Sequence, residues 1–155
     1  MERMSAMNLK SKRPLTRRLV LEVLSELPGI RPLVSREGHV GVLFKDAESD
    51  LLFTVAVTLD GFFDNVLVFM ASLEPPLGLS QEAALRLANR WNAERRWPRV
   101  WVREGKVWAD FHLPLPPEVE PEILQLLFMH LFHGLAELSS WLTQRNGTDA
   151  PAAVA

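Results

Sequence analysis

Two segments of the chain carry apolar residues at the spacing of an α-helix and have helix signals at both ends. In the first, the apolar residues of 19–27 fall on one face, Thr16 can cap the start, and Pro28-Gly29 can end the helix. In the second, Ser80 can cap the start and Pro98 prevents continuation. We therefore predict one helix near the N-terminus and one in the middle of the chain.

A third predicted helix starts near Glu118 and runs to about Thr143. Residues 123–142 are apolar on almost all sides, and such a helix must be covered on most sides. The sheet covers one side, and a second subunit is the simplest cover for the rest. We therefore expect a homodimer, and the residues assigned to the dimer contact are Phe128, Leu131 and Phe132.

Between these helices the apolar period changes to two, which is typical of β-strands. Arg36-Glu37-Gly38 separates two short alternating runs, and residues 51–59 alternate large apolar side chains with small or polar ones. Phe62-Phe63 lies in the turn that follows, either as a buried corner or as a loop tip used in binding. The short turns predict an antiparallel sheet with helices packed on it, the α+β class. The small second face of 51–59 is either open or meets a partner.

The alternating pattern after the second helix predicts a hairpin that turns at Glu104-Gly105. This turn pairs Trp101 with Trp108, and it pairs Arg99 with Asp110. One interpretation is structural, because a cross-strand aromatic pair beside a salt bridge stabilises a sheet. The others are a protein-binding surface with Trp and Arg anchors, and base stacking with nucleic acid, although acidic neighbours dilute the positive charge. The residues assigned to partner binding are Arg99, Trp101, Arg103 and Trp108.

Residues 79–115 resemble the YbjN family, bacterial proteins described as sensory transduction regulators. The resemblance rests on a helix ending in Asn89-Arg-Trp-Asn92, a short break, the hairpin and a long final helix, and the order of elements extends it over most of 15–142. It implies the order α-β-β-β-α-β-β-α of type III secretion chaperones, a fold class that binds proteins as dimers without catalysis or cofactor. Asn89 and Asn92 match the family's motif, and we expect them to cap the helix end and hold the following turn.

Composition narrows the function further. The net charge is −2 and the chain has no cysteine, which argues against a duplex-binding domain and excludes thiolate metal sites and a cysteine nucleophile. The chain contains neither a phosphate-binding loop motif nor a serine-hydrolase motif. It also lacks a recognisable signal peptide and any run of about 18 uncharged apolar residues. We expect a cytoplasmic protein that is not an enzyme and needs no cofactor.

The spacing of His130, His133 and Glu137 lets one helix face present all three side chains. Two imidazoles and a carboxylate can bind zinc or iron. However, no fourth ligand is identifiable, and His133 with Glu137 also fits a simple i, i+4 pair at the surface. A small metal-dependent enzyme that uses these residues is therefore an alternative function, and no metal is predicted.

The predicted organisation is a flexible basic arm over 1–14, one α+β domain over 15–143 and a disordered tail over 144–155. The favoured function is a non-enzymatic module that binds an unidentified protein or peptide, as a chaperone or a regulatory adaptor. The main alternative is a regulator that contacts nucleic acid through its arginine-rich surface. No membrane partner is expected.

Overall fold

The computed structural model describes residues 11–74 and 77–154, with side chains described up to residue 144. Within this part of the chain, β2 to β7 form one antiparallel sheet in the order β2-β3-β4-β5-β7-β6, and β1 pairs with β8. The elements in chain order are β1 (Arg13–Pro14), α1 (Arg17–Glu26), β2 (Pro32–Val34), β3 (Val40–Lys45), β4 (Leu52–Asp60), β5 (Val66–Glu74), α2 (Gln81–Glu94), β6 (Arg99–Arg103), β7 (Lys106–Pro114), β8 (Glu118–Val119) and α3 (Pro121–Val154).

The predicted α+β class, with helices packed on an antiparallel sheet, is confirmed. The described chain has one more strand between α1 and α2 than the expected order, because β2 pairs with β3 as a short edge strand. Within the segment predicted as a flexible arm, Arg13 and Pro14 pair with Val119 and Glu118. Residues 1–10 of that segment lie outside the described residues.

Helices α1 and α2 start where the sequence predicted, and for the predicted reason, whereas α3 begins at Pro121 because Glu118 and Val119 form β8. The hydroxyl of Thr16 accepts a hydrogen bond from the backbone N–H of Leu19 at 3.1 Å. The hydroxyl of Ser80 accepts one from the backbone N–H of Ala83, also at 3.1 Å. Each side chain thereby satisfies a backbone donor that has no partner within its own helix.

The core lies between the three helices and one face of the sheet. The period-two pattern of β4 puts every second residue from Phe53 to Leu59 into this core. The ring of Phe132 on α3 contacts Phe44 on β3 and Phe69 on β5, with ring centroids 5.4 and 5.3 Å apart. The hydrophobic face of the sheet and the buried side of α3 therefore form one continuous cluster.

The final helix differs from the prediction in two ways. It continues to Val154, beyond the predicted end near Thr143. In addition, the three residues assigned to a dimer contact point inward, where α3 packs on its own sheet. These buried side chains, which a second copy cannot reach in the folded chain, are Phe128, Leu131 and Phe132.

Candidate functional site

The β6–β7 hairpin carries the residues that the sequence assigned to partner binding, and its predicted register is confirmed. Glu104 and Gly105 form the turn, with backbone φ angles of 53° and 74°. Positive values at both central residues are typical of the two-residue turn that matches the twist of a hairpin. Trp101 lies opposite Trp108 in the ladder, as predicted.

The two indoles of this hairpin form a stacked pair. The rings of Trp101 and Trp108 are nearly parallel, 8° apart, with centroids separated by 5.2 Å. This separation is close to the distance of about 4.8 Å between neighbouring strands, so the rings stand side by side on the sheet. Both side chains are half-buried and therefore present part of their surface to solvent.

The carboxylate of Asp110 fixes the orientation of this Trp pair through a hydrogen bond to Trp101. This carboxylate is only 4% exposed and accepts hydrogen bonds from Arg99 Nε at 2.9 Å and Arg99 Nη2 at 2.7 Å. The same carboxylate accepts the indole N–H of Trp101 at 3.1 Å, and His112 Nε2 lies 3.4 Å away. The carboxylate therefore joins one indole, one guanidinium and one imidazole on the same sheet face.

Opposing effects act on the ionisation of Asp110. Burial raises the pKa of its carboxyl group, whereas the hydrogen bonds and charge of Arg99, with a smaller contribution from His112, lower it. The net result is a pKa below the usual range, and the same contact raises the pKa of Arg99. The pair is thus ionised at neutral pH, and its geometry is that of a bidentate guanidinium–carboxylate contact.

Basic side chains surround the stacked indoles. Lys106 forms an ion pair with Glu74, and its ammonium lies 5.3 Å from the centre of the Trp108 ring. Arg103 is exposed and forms no ion pair with another residue of the described chain. The four residues predicted for partner binding therefore lie together, on one hairpin and one face.

This face of the sheet, called the open face below, is the one that points away from the helices. None of its residues in the described chain belongs to the core cluster. The pairing register sets two central rows across it. One row contains Leu43, Thr54, Ser72, Trp108 and Trp101. The next contains Leu33, Gly41, Ala56, Met70, Asp110 and Arg99.

Asn92 connects helix α2 to the outer edge of β6. Its side-chain amide donates to the backbone carbonyl of Val100 at 2.7 Å and accepts from the backbone N–H of Val100 at 3.0 Å. The C-cap of α2 is Arg95, so Asn92 does not cap the helix, but its two hydrogen bonds to Val100 span the turn between α2 and β6. Asn89, the other residue of the predicted motif, is exposed on α2.

The predicted histidine cluster forms a surface pair. His133 Nε2 lies 3.2 Å from Glu137 Oε1, and His130 is exposed. His133 and Glu137 line a cavity of about 400 Å³ together with Asp46 and Arg95. Among the residues that the structure describes, no group of three or more His, Cys, Asp or Glu is placed to hold a metal ion.

The structure also exposes apolar side chains that the sequence left ambiguous or assigned elsewhere. Phe62 and Phe63 are 94% and 78% exposed at the β4–β5 turn, so they form a loop tip instead of a buried corner. On α3 the exposed apolar residues are Ile123, Leu126 and Met129, at spacings of three residues. The helical spacing of the apolar residues was the available sequence signal, but spacing alone does not indicate which side of α3 the sheet covers.

These features define a class of protein: a small α+β domain whose antiparallel sheet is covered by helices on one side and carries a stacked Trp pair on the other. The chain belongs to the YbjN family, described as "Putative bacterial sensory transduction regulator", whose model matches residues 20–142. No curated protein and no solved structure gave a significant match to the chain. None of the helices in the described part of the chain combines the length and the apolar character that a membrane span requires.

Proposed function

We propose that the chain is a non-enzymatic regulatory module that binds another protein or peptide through the Trp101/Trp108 surface. The single observation that carries the proposal is the stacked Trp pair, fixed by Asp110 and Arg99 on a sheet face that no core residue shares. Trp and Arg dominate binding energy at protein interfaces because they bury a large area while keeping a hydrogen-bonding group. Membership in a regulator family supports the same function. We place its action in the cytoplasm.

The preorganisation of this surface supports binding more than it supports a purely structural role. An indole held by a hydrogen bond and a stacking partner loses little conformational entropy when a partner covers it. The half-buried rings leave some apolar area available, and the side chain of Arg99 is 67% exposed despite its contact with Asp110. A Trp pair whose only role was to stabilise the sheet would not need to keep part of its surface exposed to solvent.

The test is capture of the native partner with a variant that carries Trp101→Ala and Trp108→Ala. We expect the loss of any protein that co-purifies at fixed ratio with the wild-type chain. The matched control is Leu85→Ala, which removes an exposed apolar side chain from α2, on the helix-covered side of the sheet. Retention of every partner by the Trp variant, with circular dichroism showing an intact fold, would refute the proposal.

The homodimer belongs to the same proposal, but through a different contact from the one predicted. The exposed stripe of Ile123, Leu126 and Met129 on α3 supports it, because exposed apolar stripes on helices are common at subunit interfaces. Leu126→Glu should convert a dimer into a monomer without lowering the free energy of unfolding of the monomer, since Leu126 is exposed. Sedimentation equilibrium at micromolar concentration measures this, with Leu85→Glu on α2 as the exposed control. A monomeric wild-type chain would end the dimer proposal.

A further inference from the structure

The open face has a floor of mostly short side chains between two bulky borders. The floor lies on β4 and β5, where the central rows place the exposed Thr54 and Ala56, the buried Ser72 and the half-buried Met70. Trp108 on β7 borders the floor on one side, and Leu43 on β3, which is exposed, borders it on the other. A flat partner such as a second sheet would rest on the two borders and leave the floor empty. A rounded partner would fill it.

The dimensions of this floor match an α-helix. β3 and β7 are three strand spacings apart, which is about 14 Å. A helix with its side chains has a diameter of about 10–12 Å and therefore fits between Leu43 and Trp108. β4 and β5 each contain 9 residues, a length of about 30 Å, which corresponds to about 20 helical residues.

The sheet edges do not favour an added strand as the alternative occupant. At the edge of β6, Asn92 already bonds to the backbone of Val100, and in the adjoining β6–β7 turn the Gln81 side chain accepts the N–H of Gly105. At the other edge, β2 is only three residues long and begins with Pro32, which has no N–H to donate. Short, proline-containing or covered edges are the usual means of preventing strand addition.

The charges at one end of the floor indicate which polar residues should flank the apolar stripe of a bound helix. Lys45, Lys106 and Arg103 lie at the end of the sheet where β3 and β6 finish and β7 begins. Glu74 pairs with Lys106, whereas Lys45 and Arg103 are exposed and form no ion pair with another described residue. The two unpaired cations favour acidic residues beside the apolar stripe of the occupant.

We propose that the open face binds an amphipathic helix whose apolar stripe fills the floor between Leu43 and Trp108 and whose polar flanks are acidic. This inference rests on the proposed function, because it names the class of partner that the Trp101/Trp108 surface recognises. The partner is a protein or peptide segment that presents such a helix.

The test uses two synthetic helical peptides of about 18 residues with the same leucine stripe, one with glutamate and one with lysine on the polar face. Each carries a fluorescent label, and its binding to the full-length protein is measured by fluorescence anisotropy at low salt. We expect the glutamate peptide to bind about tenfold more tightly than the lysine peptide. Lys45→Glu with Arg103→Glu should remove or reverse this preference.

Filling the floor provides the geometric test. Ala56→Arg introduces a long side chain between the borders, at an exposed position that the fold does not need to be small. We expect this variant to weaken binding of the glutamate peptide by at least about tenfold. The matched control is Ala93→Arg, the same substitution at an exposed position of α2. Circular dichroism checks that both variants fold.

Each failure has a distinct meaning. Equal binding of both peptides, or no effect of Ala56→Arg, overturns the acidic helix but leaves the Trp101/Trp108 surface as a binding site. No binding of either peptide, together with self-association that Ala56→Arg abolishes, assigns the floor to a second copy and also overturns the helix. Loss of native-partner capture in the Trp variant is the separate readout of the proposed function.

Discussion

Replacing Asp110 by Asn is expected to lower the free energy of unfolding by about 2 kcal/mol at neutral pH. The amide keeps the shape of the side chain. However, its NH2 group is itself a donor, and it must face one of the N–H groups of Arg99 or Trp101 that now donate to the carboxylate. A hydrogen bond to a charged group contributes about 1.5–3 kcal/mol. Because Arg99 is largely exposed, solvent screens its share and keeps the expected loss in the lower part of this range.

The pH dependence follows from the lowered pKa of Asp110. A carboxyl group whose pKa is lower in the folded than in the unfolded chain stabilises the fold above the unfolded pKa, about 3.9 for Asp. This stabilisation is lost as the pH falls toward the folded pKa, because the proton must then displace the contact with Arg99. The wild-type chain should therefore lose stability below about pH 4 by more than the Asn variant does.

Urea unfolding, followed by circular dichroism at pH values from about 7 down to about 3, measures both effects. The matched control is Asp60→Asn, on the same sheet face but exposed, which should change the unfolding free energy by less than about 0.5 kcal/mol. A change at Asp110 as small as at Asp60, or an unchanged pH dependence, would show that the carboxylate does not organise the hairpin.

Two further predictions concern other parts of the fold. Asn92→Ala should lower the free energy of unfolding by about 1–2 kcal/mol, because it removes two hydrogen bonds with the β6 backbone. The control Asn89→Ala, at an exposed position, should change the free energy of unfolding by less than about 0.5 kcal/mol. Equal effects of the two substitutions in urea unfolding would contradict this role of Asn92. Phe62→Ser with Phe63→Ser should leave thermal stability nearly unchanged, whereas Phe128→Ala should cost about 3–5 kcal/mol because the ring is fully buried. A severe loss in the loop-tip variant would mean that the two exposed rings support the fold.

The hairpin register could be predicted because it depends on short-range information. A tight turn at Glu104-Gly105 permits one pairing, and the alternation of valine with tryptophan assigns each side to a face. The salt bridge between Arg99 and Asp110 followed from the same register. By contrast, the hydrogen bond from Trp101 to Asp110 depends on how the indole is rotated, which the alternation does not specify.

The role of Asn92 shows a second limit. The sequence places it near the end of α2, where an Asn usually caps the helix or holds the next turn. Its side chain reaches the backbone of Val100 because α2 packs beside the sheet edge, and that packing is a tertiary contact. A rule for helix capping considers only residues that are close in sequence. It therefore could not predict a hydrogen bond from α2 to the backbone of an edge strand.

By itself, the sequence determined the order of the three helices, the antiparallel sheet and the face on which the two tryptophans lie, because each depends on local periodicity and turn chemistry. Only the tertiary structure decided which side of the apolar helix α3 is covered. Phe128 and Phe132 are buried by the chain's own sheet, while Leu126 remains exposed. A helix that is apolar on most sides carries no local signal for the direction of its partner, since burial depends on residues distant in sequence.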